Sequence, residues 1–446
     1  MLSGAEAVGR FAKGERVVFL GDSITMGGGY VFHLQLFEEL RHPGAGAVLI
    51  NAGVSGDSTN EGCKRWGYDV MPMNPERVFV MFGVNDVGIT SYKTANPDEI
   101  EQGKRRECLD KYADNQRRLA DMIQKEGKRL VLMTPPGYDQ YGDVRAENMI
   151  EANEPGLADC AEIVRSLASE RKLGLVEIHA PYTAMLKAHP ELHLCGEDRV
   201  HPQNVGHLLI AVLILESMGE DGLVAEVTIE ARRQSGKNRC LEVISAVNAD
   251  VSELKADRDG GKCISFKYTP KALPFPCTQD YKTLDTVYPI TDKLNREIIR
   301  VKNLPNGSYI IKANGVAIAS ATADELAKGV NIAVCDTPGQ RISLDADKVR
   351  GQLNEAARLV RNVPYMNTVI LRQNGNLDNM EECFQVLDRW LANQANSSNL
   401  AYFEKQVSTY KSLRPNLAEK QHEVDELRKK LASFAPVPFV IAIEPK

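Results

Sequence analysis

Between residue 15 and about residue 220, short apolar runs alternate with amphipathic stretches. The runs are "VVFL" (17–20), "AVLINA" (47–52), "RVFVMFG" (77–83), "RLVLMTP" (129–135) and "LGLVEIH" (173–179). Helical patterns lie between the later runs. Over 108–126, for example, Leu109, Tyr112, Leu119, Met122 and Ile123 share one face. Continuous apolar strands alternating with helices predict βαβ units, hence a parallel sheet covered on both faces. In such a sheet, chemistry collects at the carboxyl ends of the strands.

The pattern changes near residue 220. "LVAEVTIEA" (223–231), "CLEVISAV" (240–247), "CISFKYT" (263–269) and "EIIRVKNL" (297–304) read as strands. Asn306-Gly307 and Asn314-Gly315 flank "SYIIKA", a double hairpin signal. No helical pattern stands out between 222 and 320, and only a short turn is expected at 323–329. This stretch predicts a β-sandwich. Helical patterns return over 343–434: Val349, Leu353, Ala356, Ala357 and Val360 share a face, as do Met380, Phe384, Leu387 and Leu391. From Phe403 to Phe434, apolar residues including Tyr410, Leu413, Val424 and Leu431 follow a heptad, and Pro415 inside it predicts two helices or a kink. The chain closes on a strand, "PVPFVIAIEP". The expected division is an α/β domain over 1–220 and a β-sandwich over 221–446, with a helical insertion at about 343–434. The heptad seam is read as internal packing ahead of a homo-oligomer contact through that insertion.

A chain of 446 residues suits two domains. A net charge of -6 gives no nucleic-acid footprint, and no apolar run approaches the roughly 18 residues of a membrane span. The N-terminus shows no leader pattern, which points to the cytoplasm; a trimmed leader would point to a secreted or periplasmic protein. The nine cysteines are scattered, without CxxC or zinc spacing, so they read as reduced thiols, with no metal or cofactor expected.

The first run leads into "RVVFLGDSITMGGGY", an apolar strand that ends in a small polar turn. Neither G-x-G-x-x-G nor a Gly-Lys-Ser/Thr loop is present, so nucleotide binding is disfavoured. Ser23, at a strand-to-helix junction, suits a nucleophile, but on this stretch alone a helix cap by Ser23 or Asp22 is the stronger reading. A serine nucleophile needs a base. In "EDRVHPQNVGHLLIAVLIL", Asp198 stands three residues before His201, and an apolar helix begins near Asn204. An aspartate so placed can hold the imidazole tautomer that leaves Nε2 free. The second run ends in "NAGVSGDST" and the third in "FGVNDVG". Gly56 can offer a backbone N–H and Asn85 a side-chain N–H to an oxyanion, though each also suits an ordinary turn.

Taken in order, "GDSI", "SGDS", "GVND" and "DRVH" strongly resemble the four blocks of the SGNH hydrolase superfamily, the GDSL esterase/lipase family. The resemblance covers about residues 15–220. It implies a flavodoxin-like three-layer α/β/α fold with a parallel sheet and no metal. It implies Ser23 as nucleophile, His201 as general base and acid, and Asp198 as its orienting partner. The N–H groups of Ser23 and Gly56 and the side chain of Asn85 would form the oxyanion hole. Ile24 stands where the family commonly has leucine, a conservative change. The expected function is a serine esterase working through an acyl-enzyme, most readily a deacetylase of a carbohydrate, with Trp66 and Tyr68 as candidate stacking residues. The alternatives are a lysophospholipase or thioesterase on longer acyl chains, and a non-catalytic glycan-binding protein. The complete set of blocks argues against the last.

Overall fold

The computed structural model describes residues 6–144, 146–233, 239–256, 263–397 and 399–446. The chain forms two compact units. The first comprises 1–35, 47–219 and 351–429; the second comprises 36–46, 220–350 and 430–446.

In the first unit, the five apolar runs form β1 (Arg16–Gly21), β2 (Val48–Gly53), β3 (Arg77–Met81), β4 (Arg129–Met133) and β5 (Gly174–Val176). They pair in the order β2-β1-β3-β4-β5, and every pairing is parallel. All of β3 is buried, as are Val17 to Leu20 of β1, which is why these strands read as unbroken apolar runs. Strand order reverses between β1 and β3, and that reversal opens a crevice at the carboxyl edge. Gly21 is level with Gly53 on one side and Met81 on the other. The three loops that follow therefore begin side by side. The helix expected over 108–126 starts earlier, at Glu99, because Asp98 and Glu101 close a capping box. The apolar helix Asn204–Ser217 starts where the sequence places it and buries almost its whole length.

The helical residues 351–429 interrupt the sequence of the second unit and pack within the first. Helices Asn362–Arg372, Met380–Ala392 and Leu400–Leu413 share a core of Met366, Ile370, Cys383, Leu387, Val407 and Tyr410, among others. Met380, expected on the buried face, is 43% exposed at its helix start. Pro415 sits in a 3₁₀ turn, Arg414–Asn416, between the helices Leu400–Leu413 and Leu417–Ala432.

The second unit is a β-sandwich. One sheet has the order β13-β10-β6-β7, and the other β12-β11-β14-β9-β8. Here β6 is Leu223–Arg233, β7 Arg239–Val247, β8 Ala249–Ala256, β9 Ile264–Pro270 and β10 Arg296–Lys302. The remaining strands are β11 Ser308–Ala313, β12 Val316–Thr322, β13 Val330–Asn331 and β14 Phe439–Pro445. All pairings are antiparallel except that of β10 with β6. Val227 and Ile229 of one sheet share a core with Phe266, Ile311 and Ile441 of the other. Two short helices, Gln279–Asp285 and Ile290–Leu294, interrupt the stretch read as free of helix. The first is capped by the Thr278 side chain.

Candidate active site

Ser23 opens the short helix Ser23–Gly27 directly after β1. The Asp22 side chain caps that helix by accepting the Ile24 N–H at 2.9 Å. Capping thus falls to Asp22, and the Ser23 hydroxyl is left for other partners. Burial pushes the Asp22 carboxyl up to about 7, because an ionised carboxylate is poorly solvated there. The Ser23 N–H belongs to the first helical turn, whose amides have no helical carbonyl to bond.

His201 Nε2 lies 2.7 Å from Ser23 Oγ, and His201 Nδ1 lies 2.6 Å from Asp198 Oδ2. Asp198 Oδ1 also accepts the backbone N–H groups of Val200 and His201, each at 3.0 Å. Burial would raise the Asp198 carboxyl, but the hydrogen bonds from the His201 ring and these amides outweigh it and hold the group well below its usual range. The Asp198 hydrogen bond raises the His201 pKa, against the lowering effect of burial. With Nδ1–H donated to the carboxylate, Nε2 is the acceptor for the serine proton. Both side chains are about half exposed, so solvent and substrate reach them.

The next two loops interlock. Asn85 Nδ2 donates to the Asp57 carbonyl at 2.8 Å. This bond fixes the amide and leaves its second N–H free to donate elsewhere. Asp86 Oδ1 accepts the Thr59 N–H at 2.9 Å, so the Asn85 loop caps the helix that follows Gly56. Gly56 is exposed with φ +75°, a conformation in which any side chain is strained.

A buried polar network, absent from the sequence reading, lies beneath these loops. Arg65 pairs with Asp57 at 2.6 Å and with Asp69 at 2.8 Å, and it donates to the Gly21 carbonyl at 2.9 Å. Arg361, from the helical segment, pairs with both oxygens of Asp69 at 2.8 and 2.7 Å and donates to the Gly53 carbonyl at 3.0 Å. Burial would raise the Asp69 carboxyl, but Arg361 and Arg65 together lower it. The ends of β1 and β2 are thus tied to one carboxylate through two guanidinium groups. The i, i+4 spacing of Arg65 and Asp69 is visible in the sequence. Arg361 carries no local signal.

Two expectations are corrected. Trp66 is 4% exposed, a core side chain with no face for a substrate. Its neighbour Tyr68 is 41% exposed but lines a separate cavity of about 470 Å³ with Arg16 and Arg428, and neither Ser23, Gly56, Asn85 nor His201 borders it. Gly28 and Gly29, which follow the Ser23 helix, sit tightly against other side chains. A Cβ on Gly28 would fall 2.3 Å from Asn354 Oδ1, and one on Gly29 would fall 2.6 Å from His207 Cγ. They permit close packing.

Residues 19–209 match the family of GDSL-like lipases and acylhydrolases. The chain carries a GDSL-like hydrolase domain. That domain is a carboxylic ester hydrolase of the SGNH superfamily. An acetylxylan esterase of Geobacillus stearothermophilus is 27% identical over 230 residues, which are 47% of this chain and 96% of that protein. A lipoprotein of Bacillus subtilis named YqeF is 29% identical over 126 residues, 27% of this chain and 48% of that one. A solved structure described as BT4096, a gut microbial diltiazem-metabolizing enzyme, is 26% identical and covers 99% of this chain and 100% of its own, with a TM-score of 0.84. The likeness to that structure therefore extends beyond the GDSL domain to the sandwich and the helical segment. No helix among the described residues is long and apolar enough to cross a membrane.

Proposed function

We propose that the protein is a carbohydrate acetylesterase with Ser23 as nucleophile, His201 as general base and acid, and Asp198 as its orienting group. The observation that carries this reading is the run of contacts from Asp198 through His201 to Ser23, at 2.6 and 2.7 Å. The Ser23 proton passes to His201 Nε2 as Oγ bonds to the ester carbonyl carbon. The carbonyl oxygen takes up negative charge and is met by the N–H groups of Ser23 and Gly56 and the free N–H of Asn85. Collapse breaks the bond to the alcohol oxygen, which takes the proton from His201. Water then gives a proton to His201 and attacks the acetyl-serine. Acetate leaves, and Ser23 regains its proton.

The choice of an acetylated carbohydrate is supported by the relative named acetylxylan esterase, 96% of whose length is matched. The test compares the native chain with Ser23→Ala on acetylated xylo-oligosaccharides and on C8–C12 esters. The expected result is acetate release by the native chain alone, with short acyl groups preferred. Equal, near-blank rates for both proteins would sink the esterase reading, and equal rates well above blank would sink the nucleophile assignment. A preference for long chains would sink the substrate.

A further inference from the structure

The three-helix core of residues 362–413 presents aromatic rings to the Gly56 loop. A cavity of about 310 Å³ is bordered by Ser55 and Gly56 after β2 and by Tyr365, Val369, Trp390 and Phe403 from the three helices. Trp390 and Phe403 meet edge to face, with centroids 5.0 Å apart and planes at 66°. Tyr365 and Trp390 rest on the buried core formed by Met366, Ile370, Leu387 and Tyr410. Tyr365, Trp390 and Phe403 are only half buried, so the scaffold holds apolar ring surface open beside a polar loop. Among the described residues no carboxylate lines the cavity, and Arg372 and Gln373 supply its polar rim.

We propose that this cavity binds the alcohol part of the ester and selects neutral alcohols that carry a ring with an apolar face, glycosyl or aryl. The inference rests on the esterase reading, since it takes Gly56 as an oxyanion donor. Three features lead to it. An acetyl group is far too small to need about 310 Å³, whereas cavities of this size suit ring-bearing ligands. Aromatic walls stack well on ring faces. Among the described residues lining the cavity the charged group is Arg372, which pairs with Glu61 at 3.6 Å, so the cavity holds no unpaired carboxylate to attract a cationic alcohol.

The experiment uses Trp390→Ala and Phe403→Leu in the full chain. The first readout is the ratio of kcat/KM on a ring-bearing acetate to that on ethyl acetate, measured for acetylated xylobiose and for 2-phenylethyl acetate. The second is calorimetric binding of xylobiose and of 2-phenylethanol to the Ser23→Ala chain, with and without each substitution. The expected result is a drop of about tenfold in the ratio, and a matching loss of affinity, for at least one of the two ring classes. The affected class identifies the source of the ring. Ratios within about twofold of native for both substrates, with binding unaltered, would overturn the proposal. A native chain that releases no acetate from any ester would break the esterase reading instead; the binding measurement would still decide the cavity.

Discussion

The loops at the ends of β1, β2 and β3 and the helical residues 351–429 belong to one compact unit, but they are built on opposite plans. In the loops, the proposed catalytic residues sit within a few residues of a strand end. Ser23 follows β1, Gly56 follows β2 and Asn85 follows β3, and the aligned registers of Gly21, Gly53 and Met81 bring them level. In the helices, the contacts that matter span very long stretches of chain. Arg361 reaches Asp69 across 292 residues and the Gly53 carbonyl across 308. The contrast suggests a division of labour. The proposed chemistry lies in short motifs on rigid strand ends, whereas the support beneath those motifs and the proposed ligand wall come from a distant segment.

The comparison can be broken at either side. The largest effect is expected from Ser23→Ala, a fall in kcat of at least about 10⁴-fold on any acetate, with thermal stability retained; steady-state kinetics and a melting curve check both. Arg361→Ala is expected to cost about 3–5 kcal/mol of stability, because it leaves buried Asp69 short of half its partners; urea unfolding measures this. A cost under about 1 kcal/mol would show that the helices do not support the strand ends. Asn85→Ala is expected to lower kcat about 10²- to 10³-fold with little change in KM, as loss of one oxyanion donor does. Equal losses in kcat and affinity would assign Asn85 to ground-state binding.

A smaller effect concerns pH. His201 accepts the serine proton only when neutral, and Asp198 raises its pKa. The activity kcat/KM should therefore fall as pH drops through a value above the ordinary histidine value of about 6.5. In Asp198→Asn, the residual activity should show this limb displaced to lower pH. A limb unmoved by that substitution would detach Asp198 from the base.

The same division explains what was legible in the sequence. The five strands were readable because burial on both faces makes them unbroken apolar runs, and the four blocks because each is only a few residues long. Asp98 and Glu101 carried a capping box that marks the true start of the long helix, so that boundary was available too. Trp66 misled because an aromatic residue near a functional loop looks the same whether it faces ligand or core. The two short helices at 279–294 span only 7 and 5 residues, too few to show a helical period. The placement of residues 351–429 had no local signal. Amphipathic helices announce that they pack, not against what, and Arg361 finds Asp69 only once the chain has folded. The Tyr365, Trp390 and Phe403 wall was hidden for the same reason.

The central claim is that Ser23 attacks an acyl ester and carries the acyl group. The most direct measurement is acid-quenched mass spectrometry of the protein mixed with an activated acetate ester, followed by peptide mapping. The account predicts a transient acetyl adduct on the peptide containing Ser23, present at early times, lost on further incubation and absent in Ser23→Ala. An adduct that forms equally in Ser23→Ala, or acetate release with no adduct at any quench time in an Asn85→Ala chain slowed enough to sample it, would contradict the account.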